Sequence, residues 1–108
     1  MAFVDTWAAL QTSLQAGATI QNWTAHSGTV GEPFEIEAVS RNVIVITAPG
    51  ATTPQSVRRA DFEAIYELWI DYLGGSIPRS AFTPLTRYSK YVISILHWLQ
   101  ERTGGRLP

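Results

Sequence analysis

Residues 34–47 read FEIEAVSRNVIVIT, and no other stretch narrows so far what the chain can fold into. Phe34, Ile36 and Ala38 alternate with Glu35 and Glu37, the period-two pattern of a strand with one buried and one wet face. Val43 to Ile46 is a continuous β-branched run, which predicts a strand covered on both sides. Arg41-Asn42 between them predicts a tight turn, because Asn tolerates a positive φ.

The rest of the chain offers helices to cover this hairpin. Phe3, Trp7, Leu10 and Leu14 recur at helical spacing over residues 3–16, with Asp5 as the expected N-cap and Gly17 as the stop. ATIQNWT, from Ala18, reads as a short strand or extended segment, and AHSGTVGEP after it is turn chemistry. APGATTPQS, residues 48–56, reads as a loop. RRADFEAIYELWIDYLGG predicts one helix with a buried stripe of Phe62, Ile65, Tyr66, Trp69, Ile70 and Leu73, closed by Gly74-Gly75. A last helix over residues 86–102 buries Tyr88, Val92, Ile95, Leu96 and Leu99, and Gly104-Gly105 ends it. With 108 residues and no internal repeat or long linker, the expectation is a single domain over 1–108. Its class is α+β: three helices packed on a small antiparallel sheet with a central hairpin, winged-helix-like. Alternating βαβ units are absent, so a parallel nucleotide-binding sheet is not expected.

Several chemistries lack their residues. The chain has no cysteine, which removes disulfides and thiolate metal sites. His26 and His97, the only histidines, have no second ligand at helical spacing, and both read as plain surface residues. No phosphate-binding glycine loop, dinucleotide fingerprint or nucleophile elbow is present. Lys90, the only lysine, has Tyr88 where a restriction-type nuclease centre wants a carboxylate. The expectation is a non-catalytic chain without cofactor or metal; an enzyme acting through Glu35 or His26 is the distant alternative. No apolar run reaches the roughly 20 residues of a membrane span, and no basic-then-apolar leader opens the chain, so a cytoplasmic location without membrane contact is expected. The Asn22-Trp23-Thr24 sequon is expected to be accidental.

Charge supplies the positive signal. The formal net charge is only −1, but residues 79–108 carry Arg79, Arg87, Lys90, Arg102 and Arg106 against Glu101 alone. Arg87, Lys90, Ser94, His97 and Glu101 follow a 3-4-3-4 spacing that predicts one exposed helix face. Arg87 and Lys90 fall at the helix start, where the dipole already carries partial positive charge. Two cations, free backbone amides and the hydroxyls of Thr86 and Ser89 suit an anion. Tyr88 and Tyr91 interleave with them, and Arg58 and Arg59 repeat the pattern before the preceding helix. The competing reading is that these side chains cover apolar surface or pair with a distant carboxylate. Glu63, Glu67 and Asp71 form an acidic stripe on the other long helix, a solvated face or a docking face for a basic protein.

The runs GATIQNWTAHSGTVGEPFEIEAV, RRADFEAIYELWIDYLGG and TRYSKYVISIL resemble small α+β accessory domains of prokaryotic restriction and DNA-associated proteins. The matching positions are Arg59, Asp61, Phe62 and Glu63, then Ser89 and Tyr91. The resemblance implies a helical pair on a sheet and a role near DNA, in restriction or phage defence, with catalysis supplied elsewhere. Two functions are thus expected to compete. One is a nucleic-acid-binding module gripping phosphates through Arg58, Arg59, Arg79, Arg87 and Lys90, with Ser89 and Tyr91 positioning the helix. The other is a protein-interaction module, as a homodimer or small inhibitor, anchored by some of the four Trp.

Overall fold

The hairpin forms where the sequence predicts it, with a bulge that the alternation conceals. In the computed structural model, which describes residues 2–108, β4 (Phe34–Val39) pairs antiparallel with β5 (Val43–Thr47). Ile36 lies opposite Ile46, but Ala38 lies opposite Val45 and Val39 opposite Ile44, so Glu37 is an extra residue. A bulge puts two successive residues on the same side of the strand. Phe34 and Ile36 therefore point into the core, while Glu37 and Ala38 both face solvent. This corrects the placement of Ala38 on the buried face. In β5 Ile44 and Ile46 are buried and Val43 and Val45 only half-buried, so the sheet is fully covered on one face, not two. The turn closes with Ser40 N donating to Val43 O at 2.9 Å, and among the described residues only glycines take a positive φ, so Asn42 does not supply one.

Two further strands complete an antiparallel sheet in the order β1-β4-β5-β6, with β1 at Thr19–Ile20 and β6 at Gln55–Arg58. β6 begins inside the segment read as a loop. Its one large apolar residue, Val57, sits fully buried opposite Ile44, too little periodicity to mark a strand. β2 (Trp23–Thr24) and β3 (Gly28–Thr29) make a separate small ribbon.

Helix α1 (Phe3–Ser13) buries Phe3, Trp7 and Leu10, and Leu14 follows, as the spacing predicts. Asp5 is the third helical residue, not the N-cap; its Oδ2 accepts from Ala2 N at 3.2 Å. Trp7 Nε1 donates to Arg41 O at 2.9 Å and Gln11 Nε2 to Ser40 O at 2.6 Å, which fixes α1 on the hairpin turn.

The long helix expected after β6 is two helices, α2 (Arg59–Tyr66) and α3 (Trp69–Leu73), broken where Leu68 takes φ −113° and ψ 12°. The break re-phases the inward stripe to Phe62, Ile65, Trp69 and Tyr72. It leaves Ile70, expected in the core, 78% exposed. Two long-range hydrogen bonds accompany this rotation. Trp69 Nε1 donates to Gln100 Oε1 at 2.9 Å, and the Tyr72 hydroxyl accepts from Ala25 N at 2.9 Å.

A 3-10 turn at Arg79–Phe82 buries Phe82, and α4 (Ser89–Arg102) follows. α4 packs against α2, β1 and β2, and its apolar stripe joins those of α1, α2 and the sheet in one buried cluster. The architecture is α+β, with helices gathered on one face of an antiparallel sheet and the predicted hairpin at its centre. Among the described residues no helix is long and apolar enough to cross a membrane.

Candidate anion-binding surface at the start of helix α4

Helix α4 begins later than the sequence suggests. Thr86 is buried, and its Oγ1 accepts from Tyr88 N at 3.1 Å, which holds residues 86–88 in a turn. Tyr88 takes the N-cap position with φ −104°, and no side chain caps the first turn. Arg87 therefore precedes the helix rather than lying in its first turn, while Lys90 is its second residue. The first turn also holds no acid. Tyr91 N donates to Tyr88 O at 3.0 Å, so at the positive end of this 14-residue helix the amides of Ser89 and Lys90 are the ones left without a partner.

Cations flank this end on two sides. Arg87 and Arg58 line a cleft of about 420 Å³ between β6 and residues 83–88, where Arg58 Nε stands 3.9 Å from Asp61 Oδ2. Arg79 and Lys90 line a second cleft of about 610 Å³ with Asn22, Glu32, Pro49 and Tyr91. The single cluster expected around Arg87 and Lys90 is corrected: both adjoin the helix start, but they open onto different clefts. Among the described residues no carboxylate comes within 4.0 Å of Arg79, Arg87 or Lys90. Arg87 lies 5.5 Å from the Tyr88 ring and Lys90 Nζ lies 5.8 Å from the Tyr91 ring, so each cation rests on a half-buried aromatic. Tyr91 meets Phe34 edge-on at 5.1 Å.

Other predicted site residues lie elsewhere or point inward. Arg59 stacks over Phe3 at 5.2 Å and shares a cleft with Arg58, Asn42, Val43 and Glu63, whose lining includes no residue of the α4 start. Ser89 is largely buried, at 9% exposure. Ser94, expected on the exposed face, is 1% exposed; its Oγ accepts from Trp23 N at 3.0 Å and donates to Lys90 O at 3.0 Å. His97 is not a plain surface residue. Its ring stacks on Trp23 with centroids 3.8 Å apart and planes 5° apart, and its Nε2 lies 2.9 Å from Glu101 Oε1. Burial pushes the His97 pKa below its ordinary 6.5, against the upward pull of Glu101. His26 is exposed in a cleft of about 600 Å³ beside Tyr72 and Arg79, whose lining does not include Glu35.

Asn22 is the residue that sequence reasoning missed. It is 3% exposed, its Nδ2 donates to Glu32 O, and its Oδ1 has no donor. An acceptor buried without a partner costs about 1–3 kcal/mol. The sequon drew notice to Asn22 for another reason, and its burial closes it to a glycan. No short-range pattern signals a buried amide at this position.

A separate groove of about 440 Å³ runs between α3 and the C-terminal segment, lined by Tyr66, Trp69, Ile70, Leu73 and Leu107 with Glu67 and Arg106. Among the described residues no group of three or more His, Asp and Glu is placed to hold a metal ion. Comparison with protein-family models, curated proteins and solved structures gives no match to this chain.

Proposed function

We propose that the chain is a non-catalytic module that binds the phosphate backbone of nucleic acid across the start of α4. One observation carries this reading. The helix end has neither a cap nor an acid, and Arg79, Arg87 and Lys90 stand beside it with no carboxylate in range. Arg58 contributes from β6, partly offset by Asp61. Unpaired cations at the positive end of a helix are repelled by it, whereas a phosphate bound there is attracted both by the cations and by the helix end, which offsets that repulsion. The resemblance adds the setting, an accessory component of a prokaryotic restriction or defence system acting beside a separate catalytic one. The test is duplex DNA affinity from roughly 50 to 200 mM salt, where log K falls by about 0.9 per phosphate neutralised. Arg87→Gln/Lys90→Gln is expected to shallow that slope by about 2 and weaken binding at low salt. Equal affinity and slope in both proteins would rule the reading out.

The apolar groove beside α3 favours a second reading, a protein-interaction module. Ile70 is 78% exposed within a wall of aromatic and aliphatic side chains, the composition of an interface anchor. Solution mass by light scattering tests self-association: a concentration-dependent dimer lost in Ile70→Asp supports it, and a monomer at all concentrations removes the homodimer.

A further inference from the structure

The groove beside α3 has two properties that together specify what fills it. The first is that its walls are held in place. Trp69 Nε1 donates to Gln100 Oε1 at 2.9 Å, a bond between two of the lining residues that ties α3 to α4. The facing segment is fastened by Gly105 N, which donates to Gln100 O at 2.9 Å, and by Thr6 Oγ1, which donates to Pro108 O at 2.9 Å. Tyr66, Leu73 and Leu107 line the groove half-buried, while Ile70 beside them is 78% exposed.

The second property is a pair of opposite charges on the two walls. Glu67 comes from the α2–α3 link and Arg106 from the C-terminal segment. Among the described residues neither has an oppositely charged group within 4.0 Å, each other included. A basic segment lying here would suit Glu67 and be repelled by Arg106, and an acidic segment would do the reverse. The fitting partner carries both signs, at the same separation and in reversed order. A second copy of this chain, turned about a two-fold axis at the groove, meets that condition by symmetry, because in an isologous contact residue i meets j and j meets i.

We infer that two copies of the chain dock groove to groove, each Ile70 entering the other's groove and each Glu67 facing the partner's Arg106. The inference rests on the protein-interaction reading and names its partner. Burial of the two exposed isoleucines drives the association without direction, and the two charge pairs set its register. Glu63 and Asp71 are exposed but do not line the groove, and salt screens their repulsion between copies. Phosphate binding is compatible with this contact: Gln100 lies roughly 15 Å along α4 from Lys90, so both surfaces can be occupied at once.

The experiment measures the dimer dissociation constant of the whole chain by sedimentation equilibrium. The samples are the wild type, Ile70→Asp, Glu67→Arg, Arg106→Glu and an equimolar mixture of the last two. All three positions are exposed, so the substitutions leave the core intact, and circular dichroism checks this. Glu67→Arg and Arg106→Glu each set like charges face to face twice, and each is expected to weaken dimerisation about tenfold or more. Their mixture restores both attractions in a heterodimer, with an expected affinity within about threefold of the wild type. Damage that either substitution did to its own chain would not be repaired by mixing. A wild-type dimer that is lost in Ile70→Asp yet indifferent to the charge reversals, or not rescued by mixing, overturns the inference and leaves the groove an interaction site. A monomer at every concentration, or a dimer that survives Ile70→Asp, overturns the inference and the homodimer together.

Discussion

At the scale of single residues, His97 shows how far an environment moves a side chain from its expected role. Imidazole on a polar helix position is ordinarily solvated, but here Trp23 covers one ring face at 3.8 Å and Glu101 takes Nε2 at 2.9 Å. Burial disfavours the charged form and wins over Glu101, so the folded pKa lies below 6.5. An unfolded chain therefore binds the proton more readily than the folded one. The stability due to neutral His97 is complete above 6.5 and is lost as pH falls from there through the folded pKa. Urea midpoints at pH 7.5 and 5.5 should show a drop on acidification. His97→Phe, which keeps the stack and removes the proton site, should reduce that drop; an identical drop in both proteins would place its origin elsewhere.

At the scale of elements, the informative feature is the junction of β6, α2 and α3. α2 starts because Asp61, 7% exposed, turns its Oδ2 back to Arg58 N at 2.9 Å. That is the reciprocal half of a capping box, and it also places a carboxylate in the first turn, where the dipole favours it. Asp61→Ala is expected to cost about 1 kcal/mol by chemical denaturation, in contrast to the cations at the start of α4. The break after Tyr66 makes a second prediction. Ile65 is fully buried and Ile70 is 78% exposed, although both belong to one stripe when a continuous helix is assumed. Ile65→Ala should cost about 2–5 kcal/mol and Ile70→Ala less than about 0.5. These same elements show what was legible. α1 and α4 announce themselves because their apolar residues recur at helical spacing, and the hairpin because of the alternation from Phe34 to Ile36 and the β-branched run of Val43 to Ile46. The bulge at Glu37, the strand around Val57 and the break at Leu68 do not, because each is settled by a partner distant in sequence: β5, Ile44, and the pairing of Trp69 with Gln100. The cations of the candidate site were legible individually. Their division between two clefts, and the burial of Asn22 beside one of them, belongs to the packing of loops that carry no period.

At the scale of the whole molecule, stability and the proposed function pull in opposite directions at one place. α4 is the most thoroughly buried helix, with Val92, Ile93, Ile95 and Leu96 at 0% exposure, so its start is held on a rigid platform. Its exposed charges are nonetheless the wrong sign for a helix N-terminus, and the acids that would suit it, Glu63, Glu67 and Asp71, stand on α2, α3 and the link between them. A surface shaped for stability alone would carry an acid at Lys90. Lys90→Glu places a negative charge at the second helical position, beside unpaired amides and across the cleft from Arg79. Reversing the charge there is expected to stabilise the fold by about 0.3–1 kcal/mol, with Glu32 in the same cleft opposing part of the gain. For a domain of this size that raises the melting temperature by about 1–4 °C. The same change should abolish most DNA binding at low salt. Calorimetry and anisotropy on one protein sample read both effects. A substitution that stabilises while it disables marks a residue kept for a ligand; a Lys90→Glu protein that melts lower and binds as before would return Lys90 to the ordinary solvated surface.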